Sequence, residues 1–238
     1  MKLSLQENYI LRTNDFDAYN HLKPTAILDI FQDIAGRQAE EIGMGYEAMV
    51  NKGYYWVVIR EKISILKEPG FGTKVLVTTW PNQKNRIEFT RNYKMEDENG
   101  NLIAVGSSLW VLIDIKSRKI SRAKDVIYNG ECYTERIYEG LSKLNDYEGF
   151  TDSYNYEVSY TDLDHNGHMN NSHYADVILN ALKLERNAHI LDLQIDFINE
   201  VTLGDRITLK YLKKNDYYYF EAYEEDKIVF RAEMRLEN

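Results

Sequence analysis

Residues 162–171, Asp-Leu-Asp-His-Asn-Gly-His-Met-Asn-Asn, gather a carboxylate (Asp164), an amide (Asn166) and two imidazoles (His165, His168) within a few positions. Such groups move protons and stabilise a negative oxygen by hydrogen bonding. Gly167 sits among them, where a tight turn costs least. Asn170 or Asn171 suits the start of the helix expected next, because Asn accepts hydrogen bonds from the unpaired N–H groups at a helix N-terminus. The positive end of that helix would face the cluster. Asp, Asn and Gly runs also serve as plain turns, so the segment has to be weighed against the rest of the chain.

Several elements must position these residues. A strand is expected at 6–12, then a helix from Pro24 to about Ile42 with Ile27, Ile30, Phe31, Ile34 and Gln38 on one face. Pro24 fits its first turn and Gly43 its stop. Strand-like runs follow at 54–66, 73–80, 86–95 and 102–115, the last two joined by the hairpin signal Glu98-Asn99-Gly100-Asn101. Polar residues 121–152 separate a first unit, 1–120, from a second, 153–238. The second unit repeats the order: a strand at 153–160, a helix at about 170–185 with Tyr174, Val177, Ile178 and Ala181 on one face, and strands near 190–198, 205–213, 217–224 and 228–236.

The repeat extends to single residues. Asp15, Asp17, His21 and Asp29 each recur 147 residues later as Asp162, Asp164, His168 and Asp176. Glu68-Pro-Gly-Phe-Gly-Thr-Lys-Val recurs 132 residues later as Glu200-Val-Thr-Leu-Gly-Asp-Arg-Ile. The smaller offset leaves about fifteen extra residues in the first unit, near Gly43–Lys52. The chain therefore reads as a tandem duplication. Asn166 faces Tyr19 and Gly167 faces Asn20, so only the second copy holds Asp164, Asn166, His168 and Glu200 together.

Composition bounds the function. The 238 residues can bury a real core. A net charge of −9 argues against a nucleic-acid-binding protein. No apolar run reaches the length of a membrane span, and the first residues are unlike a signal peptide. The single cysteine, Cys132, excludes an internal disulfide framework and fits a cytoplasmic protein. His165, His168 and Asp164 have loose spacing for a metal and no second cluster, so no metal is expected.

The motif Asp164-His165-Asn166-Gly167-His168-Met169-Asn170-Asn171 resembles that of the acyl-acyl-carrier-protein thioesterase family in its bacterial form. Glu200, within Asp196-Phe197-Ile198-Asn199-Glu200, corresponds to the family's glutamate. Trp56-Val57-Val58-Ile59-Arg60 and Pro69-Gly70-Phe71-Gly72 fit as well. The resemblance implies an α+β fold, a tandem double hotdog in which each half is a long helix wrapped by an antiparallel sheet. It implies hydrolysis of the thioester between a fatty acyl chain and the phosphopantetheine arm of acyl carrier protein, with no cofactor. Plant members carry a cysteine after the glutamate; here it is Val201, so a thiol nucleophile at that position is unavailable.

On that resemblance Glu200 is the expected general base, with Asn166 and His168 orienting either water or the Asp164 carboxylate. Direct attack by Asp164 through an acyl-enzyme stays open beside attack by water. Backbone N–H groups of Gly167, Met169 and Asn170 are the expected oxyanion donors. His165 and His173 are expected bystanders, and His21 a vestige. The acyl chain is expected mostly in the first half, lined by Ile27, Phe31, Trp56 and Trp110. Lys116, Arg118, Lys119, Arg122 and Lys124 form the densest basic run, with Lys84, Arg86, Arg91 and Lys94 a second. One of them is expected to receive the acidic carrier protein. Two rival readings share the residues: an acyl-coenzyme A thioesterase, and an acyl-thioester sensor that binds without cleaving. Beyond the pairing of the two halves, a homodimer through a sheet edge is also open.

Overall fold

The computed structural model describes residues 3–122, 126, 128 and 130–237. The first lobe runs β1 (Leu5–Ile10), α1 (Pro24–Glu41), α2 (Tyr46–Asn51), β2 (Tyr54–Ile65), β3 (Lys74–Pro81), β4 (Phe89–Asp97), β5 (Leu102–Asp114) and a short β6 (Ile120–Ser121). The second runs β7 (Asp152–Glu157), α3 (His173–Leu182), β8 (His189–Phe197), β9 (Arg206–Lys214), β10 (Tyr217–Glu224) and β11 (Lys227–Glu237). All strands join one antiparallel sheet in the order β1-β3-β4-β5-β2-β8-β11-β10-β9-β7, with β6 beside β5. Read inward from either edge, each strand meets its duplicate at the same place. This is the double hotdog that the sequence resemblance implied.

The helices form where apolar residues recur every three or four positions. In α1, Ile27, Ile30, Phe31 and Ile34 are buried against the sheet, and Gln38 is buried with them. Pro24 occupies its first turn, and Gly43 leaves the helix end at φ +70°. In α3, Tyr174, Val177 and Ile178 are buried. This helix is shorter than the 170–185 expected. Residues 170–172 fold as a turn, in which Asn170 Oδ1 accepts the N–H of Ser172, and Lys183 ends the helix in the left-handed region at φ +49°. The fifteen extra residues of the first lobe supply α2, which the second lobe lacks.

Gly106 on β5 lets Phe31 lie flat on the sheet. A Cβ there would stand 2.7 Å from Phe31 Cε2 and 3.1 Å from the Lys62 carbonyl oxygen. Phe31 stacks on Tyr93, centroids 4.6 Å apart and planes 6° from parallel. Gly106→Ala is expected to cost about 1–3 kcal/mol through overpacking, read as a lower midpoint in urea with an unchanged m-value.

The lobes join where β2 pairs with β8, Arg60–Ser64 against Asp192–Asp196. Arg60 Nε donates to Asp196 Oδ1 at 2.8 Å, and both side chains are nearly buried. The connecting segment straps this seam. Arg60 also donates to the Leu141 carbonyl, Gln194 Nε2 donates to the Ser142 carbonyl at 2.9 Å, and the Leu144 N–H reaches Asp196 Oδ2 at 2.9 Å. Farther along, the Tyr147 hydroxyl donates to Glu233 at 3.0 Å, and Arg231 pairs with both Asp146 and Glu221. Polar composition at 141–147 thus reflects an extended strap that satisfies buried charges on the outer face of the sheet.

One interior carboxyl stands apart. Glu61 on β2 is 7% exposed. Burial first, then the nearby charge of Asp29, pushes its pKa from 4.5 up to about 8. Between those values the unfolded chain has lost a proton that the native chain keeps, so stability falls as pH rises through that window. The loss is at most about 5 kcal/mol. Thermal midpoints are therefore expected to fall between pH 5 and pH 8.5, and Glu61→Gln to flatten that part of the profile.

Candidate active site

The loop 163–169 closes on itself and then pairs with the turn after β8. The Asp164 N–H bonds the His168 carbonyl at 2.8 Å, and the Gly167 N–H bonds the Asp164 carbonyl at 3.0 Å. Gly167 takes φ +79°, which its missing Cβ makes cheap. The Asp164 carboxylate holds the loop from inside. Its Oδ1 accepts the N–H groups of Asn166 (2.8 Å) and His168 (3.2 Å), and its Oδ2 the Asn166 amide (3.3 Å). His168 and Thr202 form an isolated antiparallel bridge, and the Met169 N–H bonds the Val201 carbonyl at 3.0 Å. These bonds carry Glu200 to the loop: His168 Nε2 lies 3.4 Å from Glu200 Oε2. Their side chains are 36% and 53% exposed, so the pair is open to water and substrate.

Tyr174 lies beneath, 3% exposed. Burial first, then the charges of Glu200 and Asp164, raise its phenol above the ordinary range, which keeps it neutral under both carboxylates. Val201 is fully buried, its side chain serving as core.

The structure thus brings Asp164, Asn166, His168 and Glu200 together. It does not leave the expected oxyanion donors free. The N–H groups of Gly167, Met169 and Asn170 are spent on the carbonyls of Asp164, Val201 and Asp162, because the loop needs them to close. The N–H of Asn171, one residue on, has no acceptor among the described residues. His165 points away from the pair and meets the Tyr46 ring edge-on at 5.2 Å, which brings α2 to the loop. His173 sits 3.7 Å from both Asp162 and Asp176, on the side of α3 that faces the first lobe.

The first copy repeats the scaffold and not the pairing. Asp17 Oδ1 accepts the N–H groups of Tyr19 (2.7 Å) and His21 (2.9 Å), and Asn20 takes φ +67° in place of Gly167. Glu68, the counterpart of Glu200, instead turns inward and accepts the Leu22 N–H at 3.1 Å. His21 packs on His189, centroids 4.6 Å apart, beside a cleft of about 790 Å³. Sequence comparison showed Tyr19 in place of Asn166, but the inward turn of Glu68 left no sign in it.

The four residues expected to line an acyl tunnel fall in two places. Ile27 and Phe31 belong to the main core under α1. Trp56 and Trp110 pack on a separate cluster of Met44, Met49, Phe89, Leu112 and Val126. Trp56 Nε1 donates to the Met44 carbonyl at 2.9 Å.

Lys116, Arg118, Lys119 and Arg122 are exposed around the β5–β6 turn, and Lys124 lies outside the described residues. Arg118 is engaged with the Tyr55 hydroxyl at 3.2 Å. Arg122 shares a shallow groove of about 820 Å³ with Lys84, Asn85, Arg86, Ile87 and Glu88, so the two basic stretches converge. Arg91 and Lys94 do not join them. Arg91 faces α1 and donates to Gln38 at 2.8 Å, while Lys94 pairs with Glu135 at 2.6 Å. Alternation along β4 turns these two to opposite faces and away from the groove.

Residues 2–130 match the family model of the acyl-ACP thioesterase N-terminal domain, and residues 147–238 that of the acyl-ACP thioesterase C-terminal domain. The chain is 26% identical over 197 residues to the chloroplastic palmitoyl-acyl carrier protein thioesterase of Cuphea hookeriana, covering 75% of this chain and 47% of that protein. It is 23% identical over 203 residues to oleoyl-acyl carrier protein thioesterase 1 of Arabidopsis thaliana, covering 77% and 56%. The chain spans about half the length of the curated relatives it matches. In fold it is similar to an acyl-ACP thioesterase from Bacteroides thetaiotaomicron, with TM-score 0.88, 21% identity and 98% of each chain covered. It is similar also to the 12:0-ACP thioesterase from Umbellularia californica, with TM-score 0.84, 19% identity and 99% and 97% covered.

Proposed function

The chain belongs to the acyl-ACP thioesterase family, both of whose domain models it matches, and on that premise we propose that it hydrolyses fatty acyl thioesters of acyl carrier protein. One observation carries the reading: His168 and Glu200, far apart in sequence, meet at 3.4 Å on an open loop in one lobe only. Glu200 is the general base, taking a proton from water as it attacks the thioester carbonyl. His168 holds the Glu200 carboxylate toward that water. Asn166 and Asp164 set the loop, and the free Asn171 N–H is the donor assigned to the developing oxyanion. The sulfur of the phosphopantetheine arm leaves as a thiol once protonated, and the free fatty acid departs.

Attack by water is favoured over an Asp164 acyl-enzyme. Three hydrogen bonds already draw on the Asp164 carboxylate, which lowers its nucleophilicity and ties it to the loop. The acyl chain belongs to the first lobe and the chemistry to the second. No helix among the described residues is long and apolar enough to cross a membrane. A cytoplasmic site of action, where carrier-protein substrates would be met, fits the single cysteine.

The groove of Lys84, Arg86 and Arg122 is the docking surface for the acidic carrier protein. Free fatty acid should appear when pure protein is incubated with mixed acyl carrier proteins. Thioesters that survive long incubation would favour the sensor reading, and equal rates on matched coenzyme A thioesters the acyl-coenzyme A reading. Raising salt from about 50 to 500 mM is expected to lower kcat/KM for the carrier-protein substrate at least tenfold and leave a minimal thioester nearly unchanged.

A further inference from the structure

The inner face of the first lobe carries a polar row that the fold itself does not require. Glu61, Ser108 and Arg91 are register neighbours on β2, β5 and β4. The same register positions of the second lobe hold Leu193, Met234 and Tyr218. Duplication thus provides an internal control: where one lobe packs apolar side chains, the other keeps a carboxyl, a hydroxyl and a guanidinium.

The row is incompletely satisfied. Glu61 is 7% exposed, and no hydrogen bond or ion pair reaches its carboxyl group among the described residues. Partly buried Arg91 donates to Gln38 Oε1 at 2.8 Å and Thr79 Oγ1 at 3.3 Å, and no carboxylate pairs with it among the described residues. Ser108 Oγ is shared between the Tyr93 hydroxyl (2.8 Å) and Trp110 Nε1 (2.6 Å). An interior carboxyl without a partner is costly, and the persistence of Glu61 in one lobe points to a ligand that completes it.

Position supplies the ligand's identity. One side of the row borders the main core, where Phe31 lies over Gly106. The other borders the cluster of Met44, Met49, Trp56, Phe89 and Leu112, through Trp110. Met44 and Met49 flank Tyr46, whose ring touches His165 in the catalytic loop. Contacts therefore run from the loop through α2 and an adaptable, methionine-bearing cluster to the polar row.

We propose that the acyl chain lies in this cluster and that the Glu61–Ser108–Arg91 row takes up a hydroxyl group near its far end, making hydroxylated acyl thioesters the preferred substrates. The proposal rests on the thioesterase reading above. Burial keeps Glu61 protonated at neutral pH, so it can donate to the substrate oxygen as Arg91 does. A plain methyl terminus would leave the Glu61 carboxyl without a partner, and a site built to bind a hydroxyl rejects the analogue lacking it.

The test compares acyl carrier protein thioesters of equal chain length, with and without a hydroxyl near the ω end, on the intact protein and on Glu61→Leu. Leucine is the residue that the second lobe holds at this position, so the variant should fold. Calorimetric binding of the two free acids to the unaltered protein gives a reading independent of turnover. The expected result is at least a tenfold preference in kcat/KM for the hydroxylated chain, removed by Glu61→Leu, with the hydroxy acid also bound more tightly. Hydrolysis of both chains without preference, or of the plain chain preferentially, overturns this inference and leaves the thioesterase reading standing. Hydrolysis of neither removes that reading, and the binding arm alone then decides whether the row takes the oxygen.

Discussion

Glu200→Gln is expected to lower kcat on acyl carrier protein thioesters by about 10²–10⁴-fold with little change in KM, the usual range for removing a general base. The substitution keeps the side chain's size and its contact with His168 and removes only its capacity to take a proton. The side chain is 53% exposed and outside the core, so thermal stability should hardly move. Steady-state kinetics beside a melting curve checks both halves. A kcat within a few fold of the parent would mean that the base lies elsewhere. If Asp164 attacked directly, a single turnover in labelled water would place label in the enzyme carboxylate first; the water route puts it in the released acid.

The second large effect is a contrast between copies. His168→Ala is expected to lower kcat by about 10²-fold or more, whereas His21→Ala should leave it within about twofold. The two histidines occupy the same place on nearly the same hydrogen-bonded loop, so a role in folding alone would cost the same in both. What separates them is the glutamate, which reaches His168 at 3.4 Å in one lobe and caps a backbone N–H in the other. Equal losses would contradict a single active copy.

Much of this arrangement was legible in the sequence. Paired offsets of 147 and 132 exposed the duplication, and the insertion they implied is α2. Alternation and turn signals placed the strands of both lobes because each buries one face against a helix. Other features left no local mark. Backbone N–H groups at 167, 169 and 170 looked available because a sequence does not show which carbonyls a loop will consume. Trp56 and Phe31 read alike as apolar residues, yet the insertion that forms α2 gives Trp56 its own compartment. Arg91 looked like a surface cation because its strand was recognised without its facing, which a shift of one residue reverses.

The five-residue junction between β2 and β8 also restricts how the molecule can move. Parting the lobes would break a ladder of main-chain hydrogen bonds, the Arg60–Asp196 pair and the strap braced across them. That is a cooperative rupture on the scale of unfolding, in contrast to a hinge bend. On the proposed reading a fatty chain would enter by a local excursion, and six-residue α2, held at its start by the Glu40 carboxylate accepting the Tyr46 N–H, is the short element beside the loop expected to make it.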